Sequence, residues 1–233
     1  PQAKDGQPEM TIISMLADRR DNIWLATYKH GLIKYDGKEF RHQPLDPDNP
    51  CSLVNRTVWS VAEDKSGYLW IGTWGGGLYG LDPDNGRIRN YASGDENFNR
   101  SEIASICLSN DNNIYLGTTY GIDVFSPITG RFEKLLGNRS GSQQLTNTQI
   151  VQLFEDSRNL LWIATREGLN VYDRRNDEII LPVKELKHTI IFGVAEDNDK
   201  NMWVTTSDGL YHIVVNSNPN SRRFTFSHQP YYT

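Results

Sequence analysis

Short apolar segments alternate with turn residues along the whole chain, and almost no segment places its apolar positions at the helical period. One stretch shows the pattern clearly: TVWSVAED, YLWIGT, GLYGLD and RIRNY have the character of strands, and KSG and PDNG that of turns. The segment that opens each group of four is apolar on both faces, which is typical of a strand covered on both sides. The pattern predicts an all-β protein made of four-stranded groups.

The groups are copies of one unit. An aromatic residue recurs at Trp24, Trp70, Tyr115, Trp162 and Trp203, with steps of 46, 45, 47 and 41 residues. A threonine stands three residues after each aromatic, and a glycine follows it. Six residues before the aromatic is an aspartate in four units and Ser109 in the third. Four strands repeated every 45 residues or so predict a β-propeller with five blade repeats, at 10–43, 56–92, 102–136, 149–182 and 189–228 within one region 1–233.

Charge and composition exclude several classes of function. The chain has 24 Lys+Arg and 29 Asp+Glu, hence a net charge of −5, which argues against direct contact with nucleic acid. No apolar run is long enough to span a bilayer, so we expect a soluble chain without a signal peptide. Cys107 lies in the apolar run IASICL and is expected to be a buried thiol rather than half of a bridge or a nucleophile. The histidines and cysteines lack metal-ligand spacing, so we expect no metal, and no cofactor motif is present.

Residues that recur in every unit are interpreted as scaffold, because a catalytic group is needed only once. This applies to the carboxylate pairs Glu63–Asp64, Glu155–Asp156 and Glu196–Asp197, which we expect to be structural. Function is then expected where the units differ. The variable positions fall in the hairpin between the second and third strands and in the connection to the next blade, two places that share one face of a propeller.

That face is predicted to bind a ligand. The candidate ligand-binding residues are Tyr28, His30, Trp74, Tyr120, Arg166 and Asn147. Aromatic faces suit the C–H groups of a pyranose ring, and amide or guanidinium groups suit its hydroxyls, so an oligosaccharide is the expected ligand. The alternative is that these aromatics only cover a loop or meet a neighbouring domain. No catalytic residue is assigned.

The repeated string, with E-D, L-W-I-G-T, G-L and Y-D, resembles the two-component regulator propeller repeat. The resemblance is best in AEDKSGYLWIGTWGGGLYGLD and FEDSRNLLWIATREGLNVYD. That family forms the periplasmic sensor region of hybrid two-component histidine kinases in Bacteroidetes. The resemblance implies a periplasmic sensor module that recognises a glycan-derived oligosaccharide, or relays its recognition, to a membrane-linked kinase. The implied partners are that ligand, remaining blades and a second propeller of the same polypeptide, with a homodimer as a further option.

The family's propellers have about seven blades, so we expect the chain to be part of a larger ring, with closure of five blades as the alternative. Such a fragment would expose apolar faces at both ends. We expect these faces around Ile12, Ile13 and Met15 in the first blade and around Tyr211 and Ile213 in the fifth.

Two other functions compete with sensing. The propeller could be a protein-interaction scaffold that binds no sugar. It could also be a glycosidase, because five-bladed propellers can carry single carboxylates from different blades into one cavity. The candidate acids for that hypothesis are Asp123, Glu167 and Asp208.

Overall fold

The computed structural model describes residues 10–43, 53, 57–91, 102–136, 140–216 and 224–230. Within these ranges the chain forms twenty β-strands and two short 3₁₀ helices, Gly141–Gln143 and Lys184–His188. The strands make five four-stranded antiparallel sheets, each built from consecutive strands. The prediction of an all-β protein built from five four-stranded blades is confirmed.

The strands of the first two blades are β1 (Thr11–Ala17), β2 (Ile23–Tyr28), β3 (Gly31–Tyr35), β4 (Phe40–His42), β5 (Val58–Glu63), β6 (Leu69–Thr73), β7 (Leu78–Leu81) and β8 (Ile88–Asn90). The third blade contains β9 (Ile103–Leu108), β10 (Ile114–Thr118), β11 (Gly121–Ser126) and β12 (Arg131–Leu135). The fourth contains β13 (Ile150–Glu155), β14 (Leu160–Thr165), β15 (Gly168–Asp173) and β16 (Glu178–Ile180). The fifth contains β17 (Ile191–Glu196), β18 (Met202–Thr206), β19 (Gly209–Val215) and β20 (Phe224–Pro230).

The chain divides into two compact units, Pro1–Ile106 and Cys107–Thr233. In the first unit Trp24 and Leu32 of the first blade share an apolar core with Ile71 and Tyr79 of the second. In the second unit, strand β14 is buried on both faces. Its odd-numbered residues, Leu161 and Ile163, pack with the third blade, and its even-numbered residues pack with the fifth. The alternation of this strand therefore joins the fourth blade to both of its neighbours.

A hydrogen bond joins the repeated aspartate to the repeated tryptophan of the same blade, and we call this pair the brace. In the first blade Asp18 Oδ1 accepts hydrogen bonds from the backbone N–H groups of Arg20 and Asn22, and Asp18 Oδ2 accepts one from Trp24 Nε1 at 2.8 Å. Burial raises the pKa of Asp18, but the bonds from Trp24 and Asn22 lower it more, so the net pKa lies below its usual value. Aspartate is thus a turn scaffold here, as predicted.

The brace recurs in the second, fourth and fifth blades. In the third blade a different pair of residues forms a similar hydrogen bond. Trp70, Trp162 and Trp203 donate to Asp64, Asp156 and Asp197, each at 3.0 Å. In the third blade, where Ser109 replaces the aspartate, Tyr115 replaces the tryptophan and donates from its hydroxyl to Asp111 Oδ2 at 2.7 Å. The two departures from the repeat therefore compensate each other.

The repeated threonine fixes the hairpin that follows it. Each threonine hydroxyl donates to the carbonyl oxygen of the glycine that starts the third strand, for example Thr165 to Gly168 at 2.8 Å. Gly168 has a φ of 118°, and a Cβ there would come within 3.1 Å of the Leu186 carbonyl oxygen. Glycine is required at this position because the neighbouring connection passes so close.

The exposed apolar faces agree with the prediction in the first blade only. Ile12, Ile13 and Met15 are exposed. The prediction for the fifth blade was wrong, because Tyr211 and Ile213 are buried against the fourth blade. The exposed residues lie on the opposite face of that sheet and include Phe192 and Trp203. The sequence shows that residues along the strand alternate between two faces of the sheet. It does not show which of the two faces packs against the fourth blade.

Candidate functional site

In the first unit, two of the hairpins that were predicted to carry ligand-binding residues contact the chain just before strand β5. The backbone N–H of Trp74, in the β6–β7 hairpin, donates to the Thr57 carbonyl oxygen at 3.0 Å. The backbone N–H of Lys29, in the β2–β3 hairpin, lies 3.4 Å from Thr57 Oγ1. Thr57 ends the connection between the first two blades. The hairpins and this connection therefore do share one end of the sheets, which we call the hairpin end.

The hairpin end of the first unit presents aromatic surface. Tyr28 is exposed, and the Lys29 ammonium lies 4.9 Å from the centre of its ring. His30 is half-buried, and its Nδ1 lies 3.0 Å from the Tyr28 carbonyl oxygen. Trp74 keeps 40% of its surface exposed. Tyr28, His30 and Trp74 therefore lie at the end where the sequence placed the ligand.

Sequence reasoning missed Trp59. The indole ring of Trp59 lies 4.5 Å from that of Trp74, centre to centre, with the planes 44° apart. Trp59 occupies a bulge in strand β5, where the register shifts between Val58 and Ser60. Its Nε1 is buried and has no hydrogen-bond partner among the described residues. A signal was available, because Trp59 is a tryptophan outside both the repeat position and the hairpins.

The second unit carries the other three predicted residues, also at its hairpin end. Tyr120, 61% exposed, lies in the β10–β11 hairpin, and the next residue, Gly121, donates from its backbone to the Thr148 carbonyl oxygen at 2.9 Å. Asn147 Nδ2 donates to Glu167 Oε2 at 3.3 Å. Arg166 is exposed, and its backbone N–H donates to the Gln149 carbonyl oxygen at 3.1 Å. In this unit, too, hairpins and connections meet.

The acids of the glycosidase hypothesis have separate environments. Asp123 is buried in strand β11, where its Oδ1 pairs with Lys134 Nζ at 2.7 Å, and burial raises the pKa of its carboxyl group. Glu167 is exposed and bonds Asn147. Asp208 Oδ1 lies 2.5 Å from the hydroxyl oxygen of Thr206, a repeated scaffold residue, and its Oδ2 accepts a hydrogen bond from the Tyr211 hydroxyl at 3.4 Å. Each acid is thus engaged by a different local partner.

The glutamates of the repeated carboxylate pairs lie between blades. Glu63 accepts a hydrogen bond from the Arg19 backbone, Glu155 from the Asn110 backbone and Glu196 from the Ser157 backbone. Each donor belongs to the preceding blade. These pairs are structural, as expected from their recurrence. Among the described residues no group of three or more His, Cys, Asp or Glu side chains is arranged to hold a metal ion.

Comparison with known families identifies the repeat. The model of the two component regulator propeller matches residues 6–29, 52–75 and 144–167. The repeat is therefore a two-component regulator propeller repeat. Histidine kinase P4 of Formosa agariphila is 29% identical over 182 residues, which is 75% of this chain and 13% of that protein. The chain is thus similar to two-component regulator propellers in three of its units, and it spans a small part of the length of this curated relative.

Solved structures share the fold at low sequence identity. The extracellular domain of a hybrid two component system from B. thetaiotaomicron superposes with a TM-score of 0.77 at 20% identity, over 98% of this chain and 30% of that one. A virginiamycin B lyase from Staphylococcus aureus gives a TM-score of 0.68 at 13% identity, over 99% of this chain and 73% of that one. Since these structures include an extracellular domain of a two component system and a lyase, likeness of fold alone does not set the function. The described part of this chain contains no helix long and apolar enough to cross a membrane.

Proposed function

We propose that this propeller region is the periplasmic sensor module of a hybrid two-component signalling protein. In this proposal it recognises a glycan-derived oligosaccharide at its hairpin end and passes the binding event to a membrane-linked histidine kinase. The region itself performs no chemistry. The observation that carries the proposal is the Trp59–Trp74 pair beside exposed Tyr28 at the hairpin end of the first unit.

The aromatic pair suits a sugar ring. The exposed face of Trp74 offers a flat apolar surface to pyranose C–H groups, and the Trp59 ring packs against it with the two planes 44° apart. Trp59 Nε1–H is a buried donor without a partner among the described residues, which a ligand hydroxyl could satisfy. An aromatic surface with an unused donor is more consistent with a ligand site than with simple covering of a loop.

Polar groups at the hairpin ends suit hydroxyls rather than anions. Asn147 and Glu167 form one hydrogen-bonded pair, and the exposed Arg166 lies next to Glu167 in the same hairpin. Mixed donors and acceptors of this kind match a neutral polyol. The net charge of −5 also disfavours a strongly anionic ligand.

The relatives supply the signalling part of the proposal. The repeat is that of two-component regulators, the curated relative is a histidine kinase, and a solved neighbour is an extracellular domain of a hybrid two component system. A module outside the cytoplasm has access to glycan breakdown products that do not cross the inner membrane unaided. These two points support the proposal of sensing in the periplasm.

Isothermal titration calorimetry with a panel of neutral plant and host oligosaccharides tests the proposal. We expect at least one to bind, and Trp74→Ala to weaken its binding about fivefold or more, since loss of an aromatic stacking partner is worth about 1 kcal/mol or more. The matched control is Phe40→Ala. It removes another exposed ring, which stacks on Tyr35 at the other end of the first blade. The Phe40→Ala variant should bind the oligosaccharide with the same affinity as the native sequence.

Two results contradict the proposal. Absence of binding across the panel, for a chain whose thermal unfolding is cooperative, favours the interaction scaffold. Release of reducing ends from any of these glycans favours a glycosidase, and the effect of Asp123→Asn, Glu167→Gln or Asp208→Asn on that release identifies the acid.

A further inference from the structure

Strand β20 differs from the outer strands of the other four sheets. It has seven residues, Phe224–Pro230, of which six are exposed. The strands β4, β8 and β16 have three residues each, and β12 has five. The order of the fifth sheet places β20 at its edge, with β19 on one side and no described strand on the other. Its outer side therefore presents a long row of backbone N–H and C=O groups, which is a template for pairing with another strand.

The other outer strands carry features that discourage such pairing. Each contains a charged residue: Arg41 in β4, Arg89 in β8, Arg131, Glu133 and Lys134 in β12, and Glu178 in β16. In β16 the backbone N–H of Ile179 also donates to Gln143 Oε1 at 2.9 Å. Strand β20 reads FTFSHQP and has no Lys, Arg, Asp or Glu. Among the described residues, no side chain bonds its backbone, so the edge lacks both kinds of protection.

The hydrogen bonds of the first blade indicate which residues of β20 point their backbone groups outward. Gln43 N–H in that blade donates to the carbonyl oxygen of Leu32, which directly follows the hairpin glycine, at 2.9 Å. Leu210 holds the same place in the fifth blade and pairs with Gln229, so the backbone of Gln229 faces β19. Alternate residues of an antiparallel strand point their backbone groups to opposite sides. The outward residues of β20 that have an N–H are therefore Phe224, Phe226 and His228.

Aromatic contacts hold this edge in place. The Phe224 ring lies 5.8 Å from that of Trp162 in the fourth blade, centre to centre. The His228 ring stacks on Tyr211 at 4.3 Å with the planes 21° apart, and the Phe226 ring lies 5.8 Å from the same tyrosine. The strand is thus fixed in an extended form before any partner arrives, which lowers the entropic cost of pairing.

Strand β20 is complementary to a second copy of itself. When Phe226 lies opposite Phe226 of the second copy in an antiparallel pair, Phe224 lies opposite His228. Each outward residue then exchanges both backbone hydrogen bonds with its counterpart. Thr225 lies opposite Ser227, so hydroxyl side chains meet on the other face. Pro230, which has no N–H to donate, falls beyond the paired stretch.

The same two-fold pairing is unfavourable for the other outer strands. The middle residues of β4, β8 and β12 are Arg41, Arg89 and Glu133, and each would lie opposite the same charge in a second copy. The middle residue of β16 is Ile179, whose N–H is already bonded by a side chain. Strand β20 pairs about an uncharged aromatic residue, Phe226, and avoids both problems. These differences favour a second copy of the chain at β20.

We propose that the outer edge of β20 pairs antiparallel with β20 of a second copy of the chain and joins the two fifth blades into one continuous sheet. The contact is isologous, because the same residues contribute from both sides of a two-fold axis. The resemblance to the family specifies neither this edge nor this register. The pairing needs no ligand, so it is independent of the proposed function.

The test is a charge exchange at Phe226, measured by sedimentation velocity over concentrations from about 1 µM to 1 mM. The native chain should dimerise within this range. Phe226→Lys and Phe226→Glu should each weaken association about tenfold or more, because like charges lie opposite each other and the aromatic pair is lost. An equimolar mixture of the two variants should restore association, because opposite charges then meet across the two-fold axis.

The matched control uses Ile128→Lys and Ile128→Glu. Ile128 is an apolar residue that is 86% exposed in the turn between β11 and β12, away from β20 in the sequence. Both variants should associate like the native chain, alone and mixed. Amide exchange with deuterium reports the backbone bonds directly. The N–H groups of Phe226 and His228 should exchange about tenfold more slowly at the concentrated end of the range, whereas Gln229, which faces β19, should not change.

A chain that stays monomeric over the whole range overturns the proposal. Association that the single Phe226 variants leave unchanged, or that their mixture does not restore, also overturns it, because another surface is then responsible. If the Phe226 variants do not unfold cooperatively, two double variants at exposed positions take their place. Thr225→Glu with Ser227→Lys should associate about tenfold more tightly than Thr225→Lys with Ser227→Lys, because position 225 lies opposite position 227. Equal association of these two chains contradicts the assigned register.

Discussion

The side chain of Gln152 makes two hydrogen bonds with the backbone of Val194. Gln152 Nε2 donates to the Val194 carbonyl oxygen at 3.2 Å, and the Val194 N–H donates to Gln152 Oε1 at 2.7 Å. The pair joins the first strands of the fourth and fifth blades. Gly193 lies beside the pair, and a Cβ there would meet Thr205 Oγ1 at 3.1 Å and would touch Gln152 Oε1 only at an ordinary contact distance of 3.5 Å. The long side chain thus replaces the small residue found at this position in other blades, where Ser60 reaches the Ile103 carbonyl oxygen.

Replacing Gln152 should loosen the contact between the fourth and fifth blades. We expect Gln152→Ala to lower the free energy of unfolding by about 1–3 kcal/mol, since a buried backbone N–H loses its partner. The Val194 amide should also exchange faster with deuterium. Gln144→Ala is the matched control, because Gln144 is exposed and its side chain makes no hydrogen bond among the described residues. Equal exchange at Val194 in both variants would show that the amide pair contributes nothing.

The Asp64 brace should make the protein sensitive to acid. Burial raises the pKa of Asp64, but hydrogen bonds from Ser66 and Trp70 lower it more, so the folded pKa lies below the unfolded one. The stabilisation is complete above the unfolded pKa of about 4 and is lost as the pH falls through the folded pKa. Urea unfolding between pH 7 and pH 2.5 should therefore show a smaller loss of stability for Asp64→Asn than for the native sequence.

Asp199→Asn serves as the control for that experiment. Asp199 is exposed, and among the described residues no donor bonds its carboxylate. Its profile should follow that of the native sequence. A native profile that is flat below pH 4 would refute the assigned role of the brace.

Asp123 should have the opposite pH dependence. Burial raises the pKa of its carboxyl group in spite of the bond from Lys134. Because the folded state then holds its proton more tightly than the unfolded state, this group lowers stability as the pH rises from about 4 through the folded pKa. Asp123→Asn should remove that decline and raise the unfolding midpoint at pH 7. Asparagine fits the position, since Asn170 occupies it in the fourth blade and bonds Thr146.

Lys134→Met provides the contrasting variant for Asp123. It removes the cation that lies 2.7 Å from the buried carboxylate, so stability at pH 7 should fall. If both variants move the midpoint in the same direction, the carboxylate of Asp123 is not the group that governs the effect.

Cys107 should be unreactive in the folded chain. Burial, and then the charge of Glu155, raise the pKa of its thiol to about 11, so about 0.1% is thiolate at pH 8. In a Cys51→Ser chain, Cys107 should react with Ellman's reagent far more slowly than free cysteine and at a normal rate in 6 M urea, a concentration chosen to unfold it. Fast reaction in buffer would mean that the third and fourth blades separate readily.

The sequence predicted where Tyr28 and Trp74 lie and missed the contact between Trp74 and Trp59. Tyr28 and Trp74 vary between units and follow repeated threonines, so their place at the hairpin end could be inferred. Trp59 could not be inferred in the same way, because it lies in a first strand that looks like scaffold. Trp59 lies in the bulge between Val58 and Ser60, and its ring meets that of Trp74. The same bulge recurs in the first, fourth and fifth blades, and because a one-residue shift changes the face on which a side chain lies, alternation alone did not reveal the contact.

The repeat by itself determined the all-β fold, the number of four-stranded sheets in this chain and the structural role of the recurring aspartates. This was possible because each blade satisfies its own turns with its own residues, as Asp18 and Trp24 do. The tertiary structure decided which face of a sheet meets which neighbour, and it buried Tyr211 while leaving Trp203 exposed. It also placed the recurring glutamates at the contacts between blades, where each accepts a hydrogen bond from the backbone of the preceding blade. These outcomes depend on contacts between blades, and alternation along one strand is the same whichever of its faces is covered.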